Sequence, residues 1–281
     1  MSDNVSFTTL AIFSAFFGGV SNILARTLLK ELRAKDILGI CFLTMGATLV
    51  LVSPLFYHFE ASLMSVMLVI LIALIDAVAN YFYFKTFEKT EASVATPILS
   101  LAPGFTFVFG WLFLGDVVSL PTLLIGVLII GLTVFISADY KNFNRFSSTT
   151  LLPALIASFL FGISAIPSKY LLDTLGAINA PTLYMFRAGF IALFVLLLFG
   201  FTVEHITMRQ YRFIFIRGLF VIAQWILLYY ALTIGNAGVT VTLGNITPVF
   251  VLALSILFLK ERATYKKIIA VLLILALSLI I

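Results

Sequence analysis

Residues 67–84 read MLVILIALIDAVANYFYF, a run of eighteen residues interrupted by one charge, Asp76. An α-helix of about 20 apolar residues crosses a hydrocarbon core of roughly 30 Å. Extended to 62–84, the run is long enough to do so. It does not alternate with the two-residue period that a membrane β-barrel strand of about ten residues needs. Outward from this run, similar stretches cover 6–29, 37–56, 92–114, 119–137, 151–171, 180–200, 211–231, 237–259 and 265–281. Ten spans joined by short connections are therefore expected.

Composition agrees. The chain of 281 residues is 62% hydrophobic and 10% charged, against roughly 25% charged in soluble domains. Its solvent is lipid. The net charge of +5 does not point to nucleic acid as a partner, because the basic residues punctuate apolar runs as membrane loops do. The opening MSDNVSFTTL has no Lys or Arg ahead of the first run and reads as the start of a retained helix, not as a cleaved signal. The single cysteine, Cys41, excludes an intrachain disulfide and lacks the partners of a metal site. No cofactor is implied.

The longest connection, Asp139–Thr150 (DYKNFNRFSSTT), is polar and falls at the middle of the chain. It divides a first repeat (1–138) from a second (151–281), with 139–150 as linker. Gly19 and Arg26 recur as Gly162 and Lys169, and Ala15 as Ser158, at an offset of 143. ASVATPILSLAP (92–103) lies over AGVTVTLGNITP (237–248), and FLGDVVS (113–119) over FLKERAT (258–264), at an offset of 145. One small gap reconciles the two offsets. Five spans is an odd number, so the second half enters the membrane in the opposite sense. The expected fold is all-α and integral to the membrane, with ten transmembrane helices as two inverted five-helix repeats. Inverted repeats hold substrate near the midplane between them.

On these motifs the chain resembles the drug/metabolite transporter superfamily, specifically its EamA-type ten-helix members. The resemblance spans nearly the whole chain. It rests on Gly19…Arg26 and Gly162…Lys169, on Pro103 and Pro248, and on Lys260-Glu261-Arg262. The chain departs from the family pattern with Gly18 and Phe161 in place of tryptophan, Arg26 in place of lysine, and Gly115-Asp116-Val117 at the first-half turn. The resemblance implies alternating-access movement of small organic solutes through a central cavity.

Fourteen of the 17 basic residues lie in or beside loops that follow odd-numbered spans. Lys169 falls on the other side, and Arg187 and Arg217 lie within spans. The positive-inside rule places the odd loops in the cytoplasm and both termini outside. Relatives more often place both termini inside; the charge bias is the stronger signal here.

Asp76 lies deep in the third span, where a charge costs roughly 2.5–3.5 kcal/mol on insertion scales and faces an interior or a partner. It is read as a proton or substrate-amine site, or as half of a buried ion pair. Asn80 shares its face one turn on. Arg217, at similar depth in the equivalent eighth span, is the expected partner of Asp76. Arg187 enters from the opposite side and reads as a snorkelling arginine or a contact for an anionic substrate group.

Pro97, Pro103, Pro167 and Pro248 interrupt spans and free backbone carbonyls that need a cavity, water or side chains. Ser100, Asn245 and Thr247 cluster by the matched prolines and are candidates to line that cavity. Gln224, Trp225, Tyr229 and Tyr230 add polar and aromatic surface to the eighth span, as lining or as interhelical contacts. Lys169, recurring as Arg26, reads as structural.

The expected function is a secondary transporter of small organic metabolites, amino-acid-like or amphipathic, in a bacterial-type plasma (inner) membrane. A proton or other coupling ion would drive it, since the chain has no nucleotide-binding motif. A non-transporting receptor or assembly subunit would have little extramembrane surface with which to signal. A lipid-modifying enzyme would need His, Asp or Glu clusters, whereas the two histidines, His58 and His205, sit at loops on opposite sides.

Overall fold

Several helices start where a short polar side chain satisfies a backbone donor that the first turn leaves free. In the computed structural model Ser6 caps α1 (Phe7–Leu28), accepting from the Thr8 N–H at 3.3 Å. The model describes residues 6–29, 31–89, 98–137, 148–200, 206–259, 264–278 and 280. α2 (Ala34–Val52) carries Asp36 in its first turn, paired with Arg33 at 2.7 Å, and ends in a 3-10 turn at Pro54. Ser62 and Ser65 cap one another at the start of α3 (Leu63–Lys89).

α4 (Ala102–Phe109) passes into a π-turn, Gly110–Leu114, stopped by Gly115 at φ 65°; glycine enters that left-handed region without a Cβ clash. α5 (Leu120–Ser137) completes the first half. α6 (Ser148–Lys169) likewise ends in a π-turn, Tyr170–Thr174. Asn179 caps α7 (Ala180–Phe199). A Thr207–Gln210 capping box opens α8 (Met208–Ile234). Then come α9 (Ala237–Gly244), α10 (Thr247–Leu259) and α11 (Tyr265–Ser278).

Among the described residues, seven helical stretches are long and apolar enough to cross a membrane, with α9 and α10 counted together. Ala102–Leu114, Leu120–Phe135 and α11 supply shorter crossings. The chain is an all-α, ten-span membrane protein of two inverted repeats. Pro97 and residues 92–96, the linker up to Ser147, His205, Lys30 and the Lys260-Glu261-Arg262 turn lie outside the described residues.

The ninth span is broken, and its matched prolines show why. Pro248 sits in the first turn of α10 and Pro103 in the first turn of α4, where the N–H that proline lacks would have had no partner. Each helix restarts one residue before its proline. The same closing bonds recur at an offset of 145: Gly104 N–H to Leu101 O at 2.9 Å, and Val249 N–H to Ile246 O at 2.8 Å.

The principal helix contacts run between the halves. α1 packs on α8 as α3 packs on α6; α1 on α10 as α4 on α6; α2 on α8 as α3 on α7. α2–α7, α4–α9 and α5–α11 each pair equivalent spans. Exchanging one half for the other leaves this set unchanged, as a two-fold pseudo-axis in the membrane plane requires. Glycines permit the closest crossings, since lipid supplies no hydrophobic drive and close backbone approach does. A Cβ on Gly19 would lie 2.8 Å from the Phe250 Cβ, and one on Gly162 would lie 2.7 Å from the Phe105 Cβ.

Candidate functional site

The two helix breaks flank a central cavity of about 510 Å³, within the ~300–1,000 Å³ range of small-molecule sites. Its walls come from matched positions of both halves. Ser21 of α1 and Ser164 of α6 are 143 apart; Leu99 and Ser100 answer Gly244 and Asn245 at 145. Of the residues singled out from sequence, Asn80, Ser100, Arg217, Gln224, Trp225, Tyr229, Asn245, Thr247 and Pro248 line the cavity. Asp76, Arg187 and Pro103 stand behind the wall, and Tyr230 is exposed on the outside of α8.

The expected pairing of Asp76 with Arg217 does not occur. Asp76 ion-pairs with Arg187 of α7, both fully withdrawn from solvent at 0–1% exposure. Equivalence in an inverted repeat is not adjacency: α3 packs on α6 and α7, while α8 packs on α1 and α2. Ser164 Oγ donates to the second Asp76 oxygen at 2.7 Å. Arg187 Nη1 donates to the Tyr229 hydroxyl at 3.1 Å, and its guanidinium lies 3.6 Å above the Trp225 ring. The pair thus ties α3, α6, α7 and α8 together across the two halves. Asn80 Nδ2 donates to the Asp76 carbonyl at 2.8 Å, so it braces α3 while facing the cavity.

Arg187 is therefore neutralised, which corrects its reading as an anion contact or a snorkelling side chain. Arg217 is the buried cation that faces the cavity. Its Nη1 donates to the Cys41 Sγ at 3.0 Å, its guanidinium lies 5.8 Å over Phe84, and its Nε has no acceptor. No carboxylate lies within ion-pair reach of Arg217 among the described residues.

Gly18 makes room at the same site. A Cβ there would come 3.0 Å from the Gln224 amide and from Thr247 Oγ1, both cavity groups. Phe161, the other departure from tryptophan, lines the cavity beside Tyr83.

Beyond the even-loop end of the cavity, Lys169 Nζ donates to the Gly235 carbonyl at 2.6 Å and lies 3.7 Å from Asp116 Oδ1. The other Asp116 oxygen accepts from the Ala237 N–H at 2.9 Å, at the N-terminus of α9. A carboxylate there also complements the helix dipole. This tie joins α6, the α4–α5 turn and the α8–α9 turn. Sequence reading assigned Lys169 a structural role but missed Asp116 and the cavity-lining Ser21, Ser164 and Ser168. The 143 offset that matches Gly19 to Gly162 also matches Ser21 to Ser164, and was the available signal.

The profile of the EamA-like transporter family matches residues 6–138 and again residues 148–281. A protein of Archaeoglobus fulgidus named "Uncharacterized transporter" is 22% identical over 204 residues, 70% of each chain. A solved crystal structure covers 97% of both chains with a TM-score of 0.78 at 15% identity, a likeness of fold. Two successive matches that together span nearly the whole sequence place this membrane protein in the EamA-like transporter family.

Proposed function

We propose that the chain moves a small organic metabolite across a bacterial-type plasma membrane by alternating access, binding it in the cavity between the two halves. Membership of a transporter family supplies the class of activity. The carrying observation is that matched residues of opposite halves meet around one 510 Å³ cavity beside the paired helix breaks. Polar groups on both sides of the pseudo-axis would hold the solute while one end of the bundle or the other is shut.

In the described conformation the cavity reaches Leu29 and Lys267 at the odd-loop ends of the helices. The Lys169–Asp116 tie lies beyond its opposite end and acts as the closure there. Transport is driven by a gradient, with a proton or another ion as the coupled species. Asp76 is the residue to test for proton carriage, since it is joined through Ser164 to the cavity wall. The test is purified protein in liposomes, loaded with a small-metabolite mixture and subjected to an imposed proton gradient. Accumulation or loss of a solute above protein-free liposomes is expected. Absence of any flux under gradients of either direction would defeat the proposal.

A further inference from the structure

We infer that the transported solute carries an anionic group and that Arg217 receives it; this rests on reading the central cavity as the solute site. Among the described lining residues the charges are Arg217 and Lys267, with no Asp or Glu. Asp76, whose partner Ser164 lines the cavity, is itself sealed behind the wall and engaged by Arg187 and Ser164. Arg217 is 7% exposed, holds a thiol with one nitrogen, and leaves its Nε without an acceptor.

A guanidinium stays charged at any physiological pH, and a buried charge without a counter-charge is unfavourable. Among the described residues no carboxylate meets that charge, and an anionic occupant of the cavity would supply the counter-charge. A second buried donor without an acceptor, Asn245 Nδ2, belongs to a residue of the same lining. Each is a donor that a polar group of the solute can meet. Symmetry sharpens the point: the position matched to Arg217 in the first half is Ile72, so the cation stands on one side of an otherwise paired frame. Phe84, Tyr83, Phe161 and Trp225 line the same space and fit an apolar or aromatic body. The solute class is a small organic carboxylate or phosphate monoester.

Thermal unfolding of the protein in nanodiscs tests this with phenylacetate, indole-3-acetate and phenyl phosphate, each against a neutral analogue (phenylacetamide, indole-3-acetamide and benzyl alcohol). A ligand that binds the folded state raises the midpoint. At least one anion should bind tenfold or more tightly than its neutral analogue, and the stronger response identifies carboxylate or phosphate. The preference should vanish in Arg217→Gln and persist in part in Arg217→Lys. Equal responses within every pair, or no response to any anion, overturn the assignment in the unaltered protein; so does a preference that survives Arg217→Gln. Uptake of the same compounds into liposomes separates the two readings. Anion binding without flux removes transport and keeps the site, whereas flux of neutral analogues without anion preference does the reverse.

Discussion

Gly162 approaches Phe105 so closely that a Cβ on the glycine would lie 2.7 Å from the phenylalanine Cβ and from the Ala102 carbonyl oxygen. Gly19 stands in the same relation to Phe250. Gly162→Ala must push α6 off the start of α4, and overpacking of this kind costs about 1–3 kcal/mol. Unfolding in mild detergent should show this loss for Gly162→Ala and a similar one for Gly19→Ala. Unchanged stability in both would show that these crossings are looser than described.

The Asp76–Arg187 pair predicts a charge-balance pattern. Removing one member of a buried ion pair costs about 3–5 kcal/mol because the other is left uncompensated. Asp76→Asn and Arg187→Gln should each lower stability strongly, and the double variant should recover most of it. Flux in the stable double variant then separates the roles: retained pH-gradient coupling leaves Asp76 structural, and its loss makes Asp76 the proton carrier.

The Lys169–Asp116 tie predicts a shift in which end of the cavity is open. Charge-assisted hydrogen bonds contribute about 1.5–3 kcal/mol, so Lys169→Ala should raise the population open at the even-loop end by about tenfold or more. A cysteine introduced at Leu232, in a Cys41→Ser background, should react faster with a water-soluble thiol reagent added on that side. Lys169→Arg should react near the parental rate, as Arg26 fills the matched position. An unaltered rate in Lys169→Ala would remove the tie as a closure.

Charge distribution predicts orientation. With fourteen basic residues beside odd loops, the positive-inside rule predicts that both termini face outward. Epitope tags at either end should be reachable by antibody on intact cells, and tags reachable only after permeabilisation would reverse the orientation.

The ten spans were readable because lipid demands long unbroken apolar runs, and the two-fold frame because its glycines and prolines repeat at fixed offsets. Ser100, Asn245 and Thr247 were traceable to the cavity for the same reason: backbone freed by Pro103 and Pro248 needs polar company. The partner of Asp76 was not readable. Counting turns from helix ends gives depth along each axis, but not which helices touch, and Arg187 reaches Asp76 only because α7 packs on α3. The break at Asn245 was hidden too, since a proline in the first turn of a new helix and one inside a continuous helix look alike in sequence.

The contact between Arg217 and Cys41 has a practical side. Cys41 is the chain's single cysteine, fully buried where α2 meets α8, and it is the atom that the cavity's guanidinium holds. The protein thus carries its own thiol reporter at the place where a bound anion would draw Arg217 away. Its labelling rate can register occupancy and helix separation in the native sequence, with no probe engineered in.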